Sequence, residues 1–178
     1  MDGQVTWYGR GERENYSDCK KASPIGLYCK PIEETYTIFD KPQESGNHEN
    51  TSYVMLSNLY GNGLTVVGCD QFAFSYHDFC LSSLTKARHK NESVKSDLNY
   101  LYVDYKMRGL GNNSCGPNPE EEFELIPHAF EFAFVLAGNL TQEQALELTR
   151  TDFGIHTRPL DEVRTDSIIT EYTDEVLV

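Results

Sequence analysis

A central stretch of the chain reads Tyr53-Val54-Met55-Leu56-Ser57-Asn58-Leu59-Tyr60-Gly61-Asn62-Gly63-Leu64-Thr65-Val66-Val67-Gly68. Two runs rich in apolar and β-branched residues flank a Gly-Asn-Gly segment. This arrangement is typical of a β-hairpin, because the runs favour extended backbone and the turn residues tolerate positive φ. The sequence therefore predicts two antiparallel strands here.

Further strands are predicted on the C-terminal side of the hairpin. Residues 71–76 alternate strictly, residues 100–105 have strand composition, and residues 130–136 alternate again. The alternation places three aromatic side chains of the first segment on one face, namely Phe72, Phe74 and Tyr76. Phenylalanines at a period of two are expected to form the inner face of a sheet rather than a platform for a sugar.

Two short helices interrupt this pattern. Residues 82–87 favour one helix, with Ser82 or Ser83 accepting the free backbone donors at its start. Residues 141–148 favour another, because Thr141 and Gln144 have the spacing of a capping box. Short strands joined by Gly, Pro and Asn predict an all-β antiparallel sandwich over residues 1–138. Residues 139–178 are predicted to be an acidic C-terminal extension that adds a strand, covers a sheet edge or hangs free.

Composition excludes several classes of partner. The 178 residues are enough for one domain with a buried core, and the net charge of -13 disfavours nucleic acid and anionic membrane surfaces. No apolar run approaches the roughly 20 residues that a membrane span needs, and no export signal is visible at the N-terminus. We therefore expect a soluble, cytoplasmic protein.

The cysteines and histidines do not have the spacing of a metal site. An odd number of scattered cysteines fits reduced thiols, although the sequence leaves one or two disulfides open. No cofactor and no metal are expected in this chain. The five cysteines are Cys19, Cys29, Cys69, Cys80 and Cys115.

A dense motif of aromatic, glycine and charged residues lies near the N-terminus. Gly9 and Gly11 permit unusual backbone angles, and Arg10 presents a planar fork of donors that the Glu14 carboxylate is close enough in sequence to receive. We interpret the motif as a fixed structural loop rather than a ligand site. Its members are Trp7, Tyr8, Gly9, Arg10, Gly11, Glu14, Asn15 and Tyr16.

This motif is followed by two others in the same order as in a known family. Residues 7–28, 42–47 and 103–117 together resemble the small-chain, or C-terminal, domain of the large bacterial β-galactosidases of glycoside hydrolase family 2. The resemblance runs from about Trp7 to about Leu136 and begins partway into the family domain, so it implies the later half of a larger sandwich. Four positions depart from the family pattern: Glu12 and Ser17 replace prolines, Cys19 replaces an arginine, and His48 stands where an arginine or similar residue is common.

The resemblance implies a fold, a role and partners. The fold is the β-supersandwich shared with galactose mutarotase. Catalysis in the family uses two carboxyl groups about 5 Å apart on a separate barrel domain, and no segment of this chain resembles that barrel. We expect a non-catalytic segment that packs against the barrel domain or large subunit, completes the pocket rim for a galactoside substrate, and supports subunit assembly. An exposed sheet edge in such a half-sandwich would also favour a homo-oligomer.

The implied rim contribution lies in the loop at residues 109–117. Some relatives have a tryptophan at the position of Cys115 that stacks on the leaving sugar, and the smaller cysteine here would leave more room and supply less stacking area. The alternative for the isolated loop is a plain glycine-rich turn between strands. The expected rim residues are Asn112, Asn113, Ser114 and Cys115.

Three other functions would each need residues of a particular kind. An independent galactoside-binding module would need exposed aromatic residues, and the candidates are Trp7, Tyr8, Tyr16 and Tyr28. A mutarotase-like epimerase would need a His and Glu pair facing one sugar, and no matching segment is visible. A thiol nucleophile would need an oriented base, whereas His77, near Cys80, is expected to be a hydrogen-bonded residue at a strand end.

Overall fold

Eight strands and two helices form the regular structure of a computed structural model that describes residues 3–92, 95–111 and 116–159. The strands are β1 Gln4–Arg10, β2 Ile25–Pro31, β3 His48–Ser57, β4 Gly63–His77, β5 Tyr100–Asp104, β6 Phe130–Glu131, β7 Phe134–Gly138 and β8 Arg158–Pro159. The helices are α1 Leu81–Lys86 and α2 Gln142–Leu148, with 3-10 turns at Ile32–Glu34, Lys90–Glu92 and Glu121–Phe123.

The principal sheet has six strands, all paired antiparallel. Its order is β2-β1-β3-β4-β5, and β7 pairs with the first half of β4. A second, two-stranded sheet joins β6 to β8. The all-β antiparallel class predicted from the sequence is therefore confirmed, as is the short C-terminal helix.

The predicted hairpin is formed by β3 and β4. Their register opposes Tyr53 to Val67 and Leu56 to Leu64. In the turn, Asn58 Oδ1 accepts from the backbone N–H groups of Tyr60 and Asn62 at 2.9 and 3.0 Å. Because the turn's donors are satisfied by this asparagine, the two β-branched runs are held in register.

One face of the principal sheet carries the larger core. Trp7, Val54 and Val66 are fully buried there, together with Phe72, Phe74 and Tyr76 of β4. The strict alternation of residues 71–76 thus correctly predicted an inner aromatic face. The opposite face is covered by α2, whose Ala145 packs on Tyr53 and Val67.

The start of α2 has the predicted capping box. Thr141 Oγ1 accepts from the N–H of Gln144 at 3.2 Å, and Gln144 Oε1 accepts from the N–H of Thr141 at 2.8 Å. The prediction of a serine cap for α1 was wrong. Its N-cap is Cys80, which makes no side-chain capping bond, and Ser83 Oγ donates to the Cys80 carbonyl rather than accepting a backbone N–H.

The single strand predicted over residues 130–136 is also wrong. The segment is divided into β6 and β7, which pair with different partners, β8 and β4. Phe130 and Phe134 are consequently 46% and 38% exposed, while only Phe132 packs against the larger core. Alternation alone does not reveal such a division, since both halves have strand composition.

β7 ends at Gly138 and α2 begins at Gln142, and the predicted domain boundary at residue 138 stays a prediction. Beyond α2, β8 pairs with β6, so the extension contributes a short strand. Residues 160–178 lie outside the described part of the chain. Neither helix in the described ranges has the length and apolarity that crossing a bilayer requires.

Candidate functional site

The N-terminal motif begins inside the sheet and leaves it at Arg10. Trp7 is fully buried, and its Nε1 donates to the carbonyl of Arg10 at 3.0 Å. The Arg10 guanidinium donates to Asn50 Oδ1 at 2.8 Å and to the carbonyls of Lys20 and Ser23 at 3.1 and 2.8 Å. It therefore fixes the end of β1 to the following loop and to β3.

The predicted pairing of Arg10 with Glu14 is wrong. Glu14 Oε2 instead accepts from the backbone N–H of Gly46, at 2.6 Å, in the second family motif. The reason proposed for the two glycines is also wrong, because neither Gly9 nor Gly11 has positive φ. A Cβ at Gly9 would lie 2.6 Å from Thr51 Oγ1, and one at Gly11 would lie 2.6 Å from the Tyr28 ring. Close approach, not backbone angle, therefore requires glycine at both positions.

The first and second motifs are joined by reciprocal hydrogen bonds. The Asn15 N–H donates to the Asn47 carbonyl at 2.7 Å, and Asn47 Nδ2 donates to the Asn15 carbonyl at 2.8 Å. Asn15 Oδ1 also accepts from the N–H of Glu49 at 2.9 Å. Both asparagines are fully buried, so the bonds satisfy polar groups that would otherwise be costly to desolvate.

A buried aromatic ring and an ion pair complete this junction. Lys20 Nζ lies 3.2 Å from Glu49 Oε2, which is largely shielded from solvent. Tyr16 is buried beside this network, and its burial together with the nearby Glu14 and Glu44 carboxylates raises the pKa of its phenol. Tyr16 thus stays neutral at ordinary pH and acts here as a packing residue.

The third motif reaches the same place through Asp18. Asp18 Oδ2 accepts from the N–H of Gly111 at 2.8 Å, across 93 positions of sequence. The base of this loop is closed by a bidentate ion pair between Arg108 and Glu124, with N–O distances of 2.6 and 2.7 Å. The expected rim residues Asn112, Asn113, Ser114 and Cys115 lie outside the described residues.

The structure therefore brings together three motifs that are far apart in sequence. Sequence analysis assigned no individual role to Asp18 or Glu49, which connect them. Paired glycines such as Gly109 and Gly111 are a general signal of close backbone approach, but nothing in the sequence identified the side chain that approaches.

Two open clefts flank the junction. One, of about 580 Å³, lies between Gln71 and Tyr105, and the other, of about 910 Å³, lies beside Arg10 and Gly111. Both are lined in part by Ser17, Lys20, Glu122 and Phe123. Their size suits a small polar ligand or a segment of another domain.

Two partly buried carboxyl groups, those of Glu44 and Asp104, lie near each other, but they do not form a pair with one protonated and one ionised member. Burial, then Asp104 and Glu14, raises the pKa of Glu44, and burial raises the pKa of Asp104. A glycosidase pair needs one raised and one ionised carboxyl group on either side of the substrate. Both shifts here have the same sign, and Asp104 lines neither of the two clefts.

His77 is a hydrogen-bonded residue at the end of β4, as predicted. It is fully buried, its Nε2 lies 2.8 Å from the Ser45 carbonyl, and its burial lowers its pKa. Cys80 Sγ contacts Ser82 Oγ at 3.2 Å, and the cysteines of the described ranges, Cys19, Cys29, Cys69 and Cys80, are free thiols. Within those same ranges, no three His, Cys, Asp or Glu side chains are grouped to hold a metal ion.

The aromatic residues considered for sugar binding are largely unavailable. Trp7 and Tyr16 are buried in the fold. The Tyr28 ring contacts Gly11 and lies 5.3 Å from Trp7, centroid to centroid. Tyr8 is exposed, but its ring stacks on Tyr53.

Comparison with known proteins supplies the family context. Residues 2–136 match the family described as "Beta galactosidase small chain". The chain is 33% identical over 143 residues to a β-galactosidase of Actinobacillus pleuropneumoniae and 34% identical over 134 residues to one of Staphylococcus xylosus. It is also 31% identical over 132 residues to a β-galactosidase of Kluyveromyces lactis. These matches cover 80%, 75% and 74% of this chain but only 14%, 13% and 13% of the three relatives.

Proposed function

Because this chain belongs to the family of β-galactosidase small chains, we propose that it is a non-catalytic segment of a β-galactosidase, which hydrolyses terminal β-galactosides such as lactose. The observation that carries this proposal is the family match together with its small share of the relatives, 13–14% of their length. A catalytic barrel, on the same polypeptide or on a large subunit, would then supply the reacting carboxyl groups.

The roles of the local carboxylates support a non-catalytic assignment. Glu14 accepts a backbone hydrogen bond, Glu49 pairs with Lys20, and Glu124 pairs with Arg108. Each of these groups is committed to holding the three motifs or the loop base. A catalytic nucleophile or acid must instead face the substrate within reach of the reacting atoms.

The junction of the motifs supports the rim assignment. It anchors the near end of the loop that carries Asn112–Cys115, and from the resemblance to the family we expect those residues to line the mouth of the active site. In this proposal Cys115 provides a small, polarizable wall where a tryptophan in some relatives stacks on the leaving sugar. The loop shapes the pocket and helps to bind the galactoside, and it needs no catalytic group of its own.

An exposed apolar edge supports packing against another part of the enzyme. β2 is an edge strand of the principal sheet, and its Ile25 and Leu27 are 48% and 47% exposed. Tyr8, opposite Leu27 on β1, extends this patch. Unpaired edges and exposed apolar patches are typical of surfaces that a further domain or subunit covers.

The isolated chain tests this proposal against its rivals. We expect no hydrolysis of o-nitrophenyl galactoside and a flat calorimetric titration with lactose, because the chain supplies only part of the pocket. Saturable lactose binding by the chain alone would instead identify an independent carbohydrate-binding module. Hydrolysis at an enzyme-like rate would overturn the non-catalytic assignment.

A further inference from the structure

We propose that Asp18 is a positioning residue for the pocket rim, because its carboxylate fixes the segment Gly109–Gly111, here called the loop stem. This inference rests on the proposed function and adds to it the side chain that sets the position of the rim. Asp18 belongs to the first family motif and the loop stem to the third, so the contact couples two otherwise separate parts of the domain.

The contact is specific in distance and in shape. Asp18 Oδ2 accepts the Gly111 N–H at 2.8 Å. A Cβ added to Gly109 would lie 2.9 Å from both Cγ and Oδ2 of Asp18, so the backbone there approaches the carboxylate face directly. The absence of a side chain at Gly109 is therefore a condition for the hydrogen bond at Gly111.

The rest of the stem leaves little freedom for another arrangement. Gly109 donates its N–H to the Phe123 carbonyl at 2.9 Å. Gly111 has φ of +74, and a Cβ there would lie 2.8 Å from the Pro117 carbonyl oxygen. Its base is closed by Arg108 and Glu124, and Asp18 attaches the stem to the first motif.

Stability alone does not explain an aspartate at this position. Its second oxygen, Oδ1, is buried and has no hydrogen-bond partner among the described residues. A buried carboxylate oxygen without a partner is costly, so a purely structural role would be served as well by a neutral acceptor. The charged acceptor does strengthen the bond to the Gly111 N–H, which favours a precise stem over a merely stable one.

The test uses three substitutions of Asp18 with two readouts. In Asp18→Ala, the hydrogen exchange of the Gly111 amide of the chain should accelerate at least tenfold, because a bond to a charged group is lost. In the complete β-galactosidase, KM for lactose should rise roughly tenfold while kcat stays within about twofold, since the rim contributes binding rather than chemistry. Asp18→Asn should fall between wild type and Ala on both readouts, because it keeps the acceptor but not the charge. Asp18→Glu should behave like Ala, since the longer side chain collides with the stem.

A second variant approaches the same contact from the loop. Gly109→Ala leaves every charge in place, but its Cβ would lie 2.9 Å from the Asp18 carboxylate and from Phe123 Cβ. By displacing the carboxylate it should reproduce the amide exchange and the KM of Asp18→Ala. Asp97→Asn, an identical change at an exposed carboxylate, serves as the control and should leave both readouts at wild-type values.

The outcomes separate this inference from the function on which it rests. Faster Gly111 exchange with an unchanged KM, in an enzyme that needs this chain for activity, would overturn the positioning role of Asp18 alone. Unchanged Gly111 exchange in Asp18→Ala would overturn the tether itself. An enzyme whose kinetics are the same with and without the chain would overturn the proposed function, whatever the exchange data show.

Discussion

Protonation of His48 should destabilise the fold in mild acid. The ring is fully buried between Trp7 and Phe74, with centroid distances of 4.5 and 5.1 Å. Burial lowers the pKa of His48 from 6.5 to about 4. The unfolded chain therefore binds a proton at a higher pH than the folded chain, and stability is lost as the pH falls.

The size of this effect follows from proton linkage. With a pKa of 6.5 unfolded and about 4 folded, the free energy of unfolding should decrease by about 2 kcal/mol between about pH 7 and pH 5. Nearly the whole shift, about 3 kcal/mol, should be lost by about pH 4. His77 contributes in the same direction, whereas Glu44 and Asp104, whose pKa values are raised, contribute in the opposite one.

A comparison of variants isolates the His48 contribution. Urea denaturation of wild type and His48→Phe should be measured across this pH range, since phenylalanine fills the ring site without titrating. The difference in unfolding free energy between the two proteins should shift by about 2 kcal/mol in favour of the variant from about pH 7 to pH 5. His89→Asn, at an exposed site, should retain the wild-type pH dependence. Parallel curves for wild type and His48→Phe would refute the reasoning.

Three further predictions concern local structure, each measured by chemical denaturation. Thr141→Ala should reduce the free energy of unfolding by about 1 kcal/mol because it removes the observed cap of α2. Ser82→Ala should have little effect because α1 has no side-chain cap. Equal losses in the two variants would contradict this. Gly46→Ala should cost more than Gly61→Ala, since both have positive φ but only a Cβ at Gly46 would meet a neighbour, at 2.8 Å from Tyr36 Cβ. The reverse order would show that steric contact does not govern these sites. Glu44→Gln should stabilise the protein at a pH above the raised pKa of Glu44, because the ionised carboxylate is disfavoured in the fold. In acid, where the wild-type carboxyl is protonated, the variant should have no such advantage. An equal effect above and below this pKa would refute the raised pKa.

Local pattern was sufficient wherever neighbours in sequence decide the structure. The β3–β4 hairpin, the aromatic face of residues 71–76 and the capping box of α2 all depend on residues within a few positions of one another. Periodicity and turn chemistry describe such interactions directly. The three family motifs were visible for the same reason, as contiguous strings.

Contacts between distant segments could not be predicted in this way. The Arg10 guanidinium was assigned to a nearby carboxylate, but its Nε binds Asn50, which lies 40 positions away on β3. Likewise, residues 130–136 are divided because their first part, β6, pairs with β8 and their last part, β7, pairs with β4. Such outcomes are set by the packing of the whole sheet, and the tether between Asp18 and Gly111 belongs to the same class.

The central claim is that this chain shapes the pocket of a catalytic polypeptide without contributing a reacting group. The most direct measurement is kcat/KM for lactose of the complete β-galactosidase, compared with the catalytic polypeptide that lacks this chain. We expect the loss of the chain to reduce kcat/KM by on the order of 100-fold, as misplacement of a bound substrate does. An unchanged kcat/KM in its absence would contradict the account.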